Sequence, residues 1–140
     1  MSPFDYFEHT ADIGVEVMAD SMEGLYAEAG RALFNLIGDL DQIKPTEAEK
    51  VALASADETG LLIDWLNELI FLFDARGWLF SEFDVSLSRV IEPASLQLAA
   101  VCKGEKVAGH KIKIGIKSAT YHQAGITHDV DWRARFILDV

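Results

Sequence analysis

Polar and apolar residues alternate near the amino end of the chain, with the period of a strand that buries one face. Ile13, Val15 and Val17 form the apolar set, while Asp12 and Glu16 share the opposite, polar side. The alternation predicts a strand that ends at the polar residues after position 19, with two acids on its non-core face.

Helical spacing begins after Ser21, a residue type that is favoured at the N-cap of a helix. The apolar stripe ends before Gly38, and glycine is common just beyond the last turn. This pattern predicts an amphipathic first helix. Its stripe comprises Met22, Leu25, Ala29, Leu33, Leu36 and Ile37.

A second helix is predicted for the stretch LLIDWLNELIFLFDARG, with Asp57 as its N-cap and a predicted strand, 50–54, before it. This helix is apolar around most of its circumference, which fits either a buried helix or a membrane or partner surface. Burial between layers is favoured because a polar stripe remains. The stripe consists of Asp64, Asn67, Glu68 and Asp74.

The second half of the chain reads as strands, with alternation over 83–88, over 96–100 and in the closing WRARFILDV. In the closing strand, alternation places four residues on the polar side: Arg133, Arg135, Ile137 and Asp139. Two helices and several strands predict an α+β fold, a two-layer single domain spanning 1–140, with two main helices packed on a mixed β-sheet.

Composition agrees with one globular domain, because 140 residues that are 50% hydrophobic can bury a substantial core. A single cysteine, Cys102, cannot form an intramolecular disulfide, and the first residues lack the pattern of a secretion signal. No run resembles the roughly 20 apolar residues of a membrane-spanning helix. We therefore expect a cytoplasmic protein without a membrane partner.

The net charge of −11 argues against stable direct binding of nucleic acid, since Lys and Arg supply most non-specific affinity for phosphates. The charge is uneven along the chain. Residues 1–30 contain seven acids and no Lys or Arg, whereas 102–117 contain five lysines and a single acid, Glu105. Partners should be basic, cationic or metallic.

Three anionic groups could form a metal site if the first and last strands are neighbours: Asp12, Asp139 and the α-carboxylate of Val140, where the chain ends there. Such a cluster would repel itself without a cation, and carboxylate oxygens suit Ca²⁺, Mg²⁺ or Mn²⁺. The alternative is that Asp12 caps a turn and that Asp139 pairs with Arg133 or Arg135. Spacing alone leaves both possibilities open.

Other chemistry has little support in the sequence. The four histidines and Cys102 show no zinc-binding spacing, and neither a nucleophile elbow nor a phosphate-binding P-loop is present. Lys117 could balance a carboxylate site or an incoming phosphate. It could equally be a solvated lysine that continues the series of Lys111 and Lys113.

Four motifs in this order and spacing are similar to those of the archease family: FEHTADIGVEV, LLIDWLNELIFLFD, IKSATYH and the terminal ILDV. The resemblance covers essentially the whole chain. Archeases are small protein cofactors of the GTP-dependent, RtcB-type RNA ligase that joins tRNA halves in splicing. The resemblance therefore implies a protein cofactor of that ligase rather than an enzyme.

The resemblance also implies particular site residues. Asp12, Asp139 and the Val140 α-carboxylate would bind a divalent metal ion, with Ca²⁺ as the first expectation and Mg²⁺ or Mn²⁺ as alternatives, and Lys117 would be functionally required. His9 and Glu16 are weaker candidates. His9 could order the Asp12 turn, and Glu16 shares the strand face of Asp12, so either could support the metal ligands.

One stretch, 104–116, departs from the family pattern. It is a little shorter, and an acidic residue expected before His110 is missing, with Ala108 and Gly109 in that neighbourhood. The spacing of Ile112, Ile114 and Ile116 suggests a strand, whereas the family suggests a loop that ends near Gly115. Both possibilities stay open, and so does any metal role for His110.

Function is predicted as activation of the RNA ligase, by promoting its guanylylation and its repeated turnover in tRNA splicing or RNA repair. An alternative from the enzyme class is a small metal-dependent phosphohydrolase that uses the same carboxylates. The absence of a plausible general base beside Asp12 or Asp139 argues against it. A chaperone or plain interaction module is a third possibility.

Overall fold

The computed structural model describes residues 3–9 and 12–140, and the side chains of Glu8 and His9 lie outside that description. The described part contains strands and helices in alternating groups, with a short 3-10 helix, Leu40–Gln42, after the first helix. The elements are β1 (Phe4–His9), β2 (Asp12–Ala19), α1 (Met22–Ile37), β3 (Glu47–Ser55), α2 (Glu58–Arg76), β4 (Trp78–Val90), β5 (Ser95–Lys106), β6 (Ser118–His128) and β7 (Trp132–Asp139).

Both helices begin at the predicted caps. The Ser21 hydroxyl accepts a hydrogen bond from the Gly24 N–H at 3.0 Å, and an Asp57 carboxylate oxygen accepts one from the Gly60 N–H at 2.7 Å. α2 ends at Gly77, whose φ of 69° lies in the left-handed region that glycine adopts without strain. α1 also ends where predicted, but Gly38 has a φ of −135°.

The strands form two antiparallel sheets. The terminal sheet has the order β1-β2-β7-β6 and unites both ends of the chain, and the middle sheet has the order β3-β5-β4. The predicted α+β class and the two main helices are confirmed, whereas the strands do not form the single mixed sheet that we expected. Both helices contact both sheets. A helix that is apolar around most of its circumference needs cover on more than one side, and two sheets provide it.

The core lies where the helices meet the sheets, and Trp65 of α2 and Tyr26 of α1 are fully buried in it. Their polar atoms are satisfied. Trp65 Nε1 donates to the Tyr26 carbonyl at 2.8 Å, and the Tyr26 hydroxyl donates to the Glu58 carbonyl at 2.7 Å. Burial, with a smaller contribution from Glu58, raises the pKa of Tyr26, so this hydroxyl keeps its proton and its donor role.

The connection 107–117 contains no strand. The alternating isoleucines therefore imitate a strand here, and the loop suggested by the family is the correct alternative. Its backbone bonds elsewhere: the Lys113 N–H donates to the Ile37 carbonyl at the end of α1, at 2.7 Å. Burial increases along the three isoleucines, from the exposed Ile112 through the half-buried Ile114 to the buried Ile116, so the last of them anchors the connection to the core.

β1 was not predicted from the sequence. Its aromatic residues do not alternate cleanly between faces, because Phe4 and Phe7 are half-buried and Tyr6 is exposed. Within residues 3–9 and 12–140, no helix combines the length and the apolar character that crossing a membrane requires.

Candidate functional site

The ends of three neighbouring strands, β2, β7 and β6, lie together at one end of the terminal sheet. Ile13 of β2 pairs with Leu138 of β7, so Asp12 and Asp139 each lie one residue beyond this pair on neighbouring strands. Ser118, the first residue of β6, pairs with Asp139 from the other side. The condition for a carboxylate site, adjacency of the first and last regions of the chain, is therefore met.

Lys117 is tied to the same place through its main chain. Its N–H donates to the Asp139 carbonyl at 2.8 Å, and its side chain is exposed. Among the described residues, its ammonium group takes part in no ion pair. The lysine is therefore held at its backbone while its charge remains available to a ligand.

The carboxylates of Asp12 and Asp139 are half-buried, and neither has an ion-pair partner in the part of the chain that the structure describes. The arginines that could have neutralised Asp139 are engaged elsewhere. Arg133 Nε lies 3.0 Å from an Asp131 oxygen, and Arg135 donates to Glu16 at 2.9 Å. The alternative pairing of Asp139 with either arginine does not occur.

Val140 follows the end of β7, and its side chain packs against the core, which orients the chain end. Its α-carboxylate is adjacent in the chain to Asp139. Side chains of His, Cys, Asp and Glu form no metal-binding group of three among the described residues. Two aspartates therefore need the main-chain carboxylate, carbonyls or water to complete a shell.

The donor set fits a hard divalent cation. Every donor is a carboxylate oxygen, and Ca²⁺ takes about 6–8 oxygen ligands in flexible geometry, partly from water and carbonyl groups. Asp12 and Asp139 lie at the ends of paired strands. A softer metal such as zinc would find no thiolate or imidazole ligand among the side chains named.

Of the two weaker candidates, Glu16 and His9, only Glu16 has a described side chain. Glu16 is exposed and pairs with Arg135, whose guanidinium lies 4.1 Å from the centre of the Phe7 ring. The Glu16 carboxylate thus belongs to an ion pair, and Glu16 lies four residues along β2 from Asp12. His9 pairs through its backbone with Asp12, but its side chain lies outside the described part. A supporting role for either residue stays a prediction.

Phe7 was missed by the sequence analysis, although Gly14 carries a signal for it. The Phe7 ring lies over Gly14, so that a Cβ added to the glycine would overlap the ring. Glycine inside a strand often marks such a close approach. This contact covers the outer face of β2 next to Ile137, which is fully buried although alternation placed it on the polar side.

His110 belongs to a different group. Its Nε2 lies 2.9 Å from an oxygen of Glu105, and the same carboxylate oxygen accepts a hydrogen bond from the Lys44 N–H at 2.8 Å. The Lys44 bond first, and then His110, lower the pKa of Glu105. This group fastens the connection 107–117 to the loop before β3, which gives His110 a structural contact.

Comparison with known proteins now defines the class to which this fold and site belong. The model of the Archease protein family (MTH1598/TM1083) matches residues 4–140. The chain is 36% identical to "Protein archease" of Methanopyrus kandleri over 99% of both sequences, and 32% identical to that of Methanothermobacter thermautotrophicus over 100% of both.

The fold agrees with this match. The solution structure of Methanobacterium thermoautotrophicum protein 1598 superimposes with a TM-score of 0.87, at 32% sequence identity and full coverage of both chains. The protein described here belongs to the archease family.

Proposed function

We propose that this protein is an archease-type activator of an RtcB-type RNA ligase, which binds a divalent metal ion and promotes guanylylation and multiple turnover of the ligase. The observation that carries the proposal is the placement of Asp12 and Asp139 at neighbouring strand ends without an ion-pair partner among the described residues. Membership of the archease family supports the choice of partner.

Asp12, Asp139 and the Val140 α-carboxylate would hold the metal ion, with Ca²⁺ preferred over Mg²⁺ or Mn²⁺. The bound ion would supply concentrated positive charge to the polyphosphate of GTP. The two aspartates orient this charge because they sit at the ends of hydrogen-bonded strands, so little conformational freedom is lost on binding. Their mutual repulsion in the absence of metal favours cation binding.

Lys117 would act beside the carboxylates as a second positive group. Its main chain is fixed to Asp139, while its exposed ammonium can reach a phosphate of the substrate or of the ligase complex. A flexible lysine stem suits a contact that forms and breaks in every cycle. This role accounts for a lysine that lacks an ion-pair partner in the described residues of a strongly acidic protein.

The protein would work as a partner rather than as a catalyst. Its net charge of −11 favours encounter with a basic, RNA-binding surface of the ligase and disfavours stable binding of RNA to the protein alone. The reaction would take place in the cytoplasm. In this scheme the protein leaves the ligase after guanylylation.

The direct test mixes purified ligase, GTP and RNA ends with and without this protein and measures both guanylylated ligase and ligated RNA. We expect more turnovers per ligase with the wild-type protein and little activation with Asp139→Asn or Lys117→Ala. Asp84→Asn, at an exposed position of β4, is the matched control and should activate normally. Unchanged turnover with the wild-type protein would refute the proposal.

A second experiment separates the activator from a metal-dependent phosphohydrolase. The protein alone is incubated with nucleotides, phosphoesters or RNA in the presence of Ca²⁺, Mg²⁺ or Mn²⁺. An activator should release no product. Hydrolysis that disappears with Asp12→Asn would favour the enzyme instead, and activation that survives both aspartate substitutions would favour a chaperone or interaction module.

A further inference from the structure

The side chain of Asn67, on the polar stripe of α2, forms two hydrogen bonds with the backbone of one residue. Its Nδ2 donates to the Ala119 carbonyl at 3.2 Å, and the Ala119 N–H donates to its Oδ1 at 2.8 Å. Asn67 is half-buried, and both bonds join residues that are 52 positions apart. The Asn67 amide therefore hydrogen-bonds both the N–H and the carbonyl of Ala119, as the backbone of a neighbouring strand would.

Ala119 needs such a partner because β6 is an edge strand of the terminal sheet. On one side Ala119 pairs with Leu138 of β7. On the other side the sheet ends, so that its N–H and carbonyl would otherwise have to be solvated or left unpaired. Asn67 supplies a donor and an acceptor at this point.

The segment that Asn67 grips is short and isolated. Only Ser118, Ala119 and Thr120 continue the ladder with the end of β7 before the register shifts, and 121–124 lie opposite Phe136 alone. Gln123 in this bulge has a φ of 55°, which is uncommon for a residue other than glycine. Because the bulge absorbs three extra residues, the ladder beyond it does not fix the register of 118–120.

The chain before this segment constrains the register at few points. The connection 107–117 has no strand, and near its end the anchors are the buried side chain of Ile116 and the hydrogen bond from the Lys117 N–H to the Asp139 carbonyl. The buried Ile116 side chain keeps the segment close to the core, but it does not prevent β6 from shifting along β7, because hydrophobic burial is non-directional. A slip of one residue in a strand turns every side chain to the other face. Two directional bonds to Ala119 resist such a slip.

We propose that Asn67 is a positioning residue for Lys117, which lies two residues before Ala119. By its hydrogen bonds to Ala119, Asn67 holds Lys117 beside Asp139. The inference rests on the role proposed above for Lys117. The inference gives α2 a role beyond filling the core, because one polar residue of this helix determines the position of the positively charged Lys117.

Asn67 acts on Lys117 and leaves the carboxylates in place. Asp12 and Asp139 are aligned by the central pairing of β2 with β7, which continues through seven residue pairs and does not involve β6. Substitution of Asn67 should therefore separate two properties that general unfolding would change together, the metal affinity and the Lys117-dependent activation.

The first test measures amide hydrogen exchange by NMR and needs no ligase. Asn67→Leu removes both hydrogen bonds at similar volume, and we expect exchange at Lys117 and Ala119 to become about tenfold faster. Asn67→Asp keeps the acceptor and loses the donor, so it should fall between wild type and Asn67→Leu. Asp64→Leu, at an exposed position three residues earlier on α2, is the matched control and should not change these rates.

The second test compares activation of the ligase with metal affinity from calorimetry. Asn67→Leu should lose about tenfold in activation, Asn67→Asp should retain part of it, and both should bind metal within about threefold of wild type. A parallel loss of metal affinity and activation would mean that Asn67 only supports folding, and would overturn the inference. Unchanged exchange at Lys117 in Asn67→Leu would overturn it as well.

Failure of the function proposed above would be seen differently. Wild-type protein that does not activate the ligase refutes that function, whatever Asn67 does. In that event the exchange rates and the metal affinity still decide whether Asn67 holds the Lys117 segment. Faster exchange with unchanged metal affinity supports positioning, and any other combination refutes it.

Discussion

The terminal sheet and the middle sheet are both antiparallel, yet they differ in regularity and in chemistry. The terminal sheet joins β2 to β7 from opposite ends of the chain and contains the large bulge in β6. The middle sheet is formed by strands that are closer in sequence. Its ladder between β3 and β5 runs without interruption from Glu47 to Ser55, and the register shift between β4 and β5 skips one residue, Ser81. The candidate site lies entirely at the irregular sheet.

Their outer faces differ in the same way. The terminal sheet presents the ion pair of Glu16 with Arg135 over Phe7. The middle sheet presents a row of small uncharged side chains, Ala52, Ala99 and Ser86, on three neighbouring strands, with the exposed Lys50 and Asp84 in the adjacent row. Under the proposed function the two sheets divide their roles: the middle sheet supports the fold and the terminal sheet holds the metal site.

The largest expected effect is on stability, from Gly104→Ala in the middle sheet. A Cβ at this position would overlap the Leu79 carbonyl and Phe80 Cα of β4, so backbone must move, at a cost of roughly 3 kcal/mol in unfolding free energy. Gly125→Ala in the terminal sheet meets no described atom within 4 Å and should cost less than about 0.5 kcal/mol. Urea unfolding measures both variants, and equal stabilities would contradict the close approach.

Asp139→Asn should have the largest effect on the site and little effect on the fold. Loss of one anionic ligand should weaken metal binding by about 100-fold, which is roughly 2.7 kcal/mol, as measured by calorimetry. Stability without metal should not fall, because the substitution relieves repulsion with Asp12. Asp84→Asn in the middle sheet is the control. An equal loss of affinity in both variants would end the division between the sheets.

A short tag after Val140 should have a smaller effect on the same site. The tag converts the terminal carboxylate into an amide, which removes one charge and leaves a neutral carbonyl, so metal affinity should fall by about tenfold. A tag of identical sequence at the amino end is the control for bulk. Equal affinities of the two tagged proteins would remove Val140 from the set of ligands.

The smallest effect is expected at Glu105 of β5, which fastens the connection between the two sheets. Its pKa lies below the usual 4.5 in the folded protein, so its stabilising contribution is present above that value and is lost as the pH falls through the folded pKa. Glu105→Gln should therefore lower the Tm slightly at pH 7, and the difference should vanish in acid. A difference that is independent of pH would exclude the ionised carboxylate as its cause.

Local signals in the sequence were sufficient for the helices. Ser21 and Asp57 cap their helices through side-chain bonds that span three residues, and such bonds can be read from neighbouring positions. Alternation also assigned Asp12 and Asp139 to the polar side of their strands. These predictions succeeded because the interactions involved are short in sequence and repeat with a fixed period.

Long-range contacts were not predictable in this way. No periodicity reveals that Asn67 bonds to Ala119, or that four residues of β6 lie opposite Phe136 alone. The isoleucines of 112–116 even gave a misleading strand signal, because only Ile116 is buried and the backbone of this stretch bonds to the end of α1. The resemblance to archeases implied a set of candidate site residues, yet it could not show which strands and hydrogen bonds place them.

The order of residues thus decided which segments are helical, which faces are polar and how negative the protein is. Folding in three dimensions decided that the strands separate into two sheets, that the beginning of β2 meets the end of β7, and that a helix side chain holds the edge strand beside them. The physical reason is one of range. Capping and periodicity act over a few residues, whereas strand pairing and the satisfaction of edge hydrogen bonds depend on groups that only the completed core brings together.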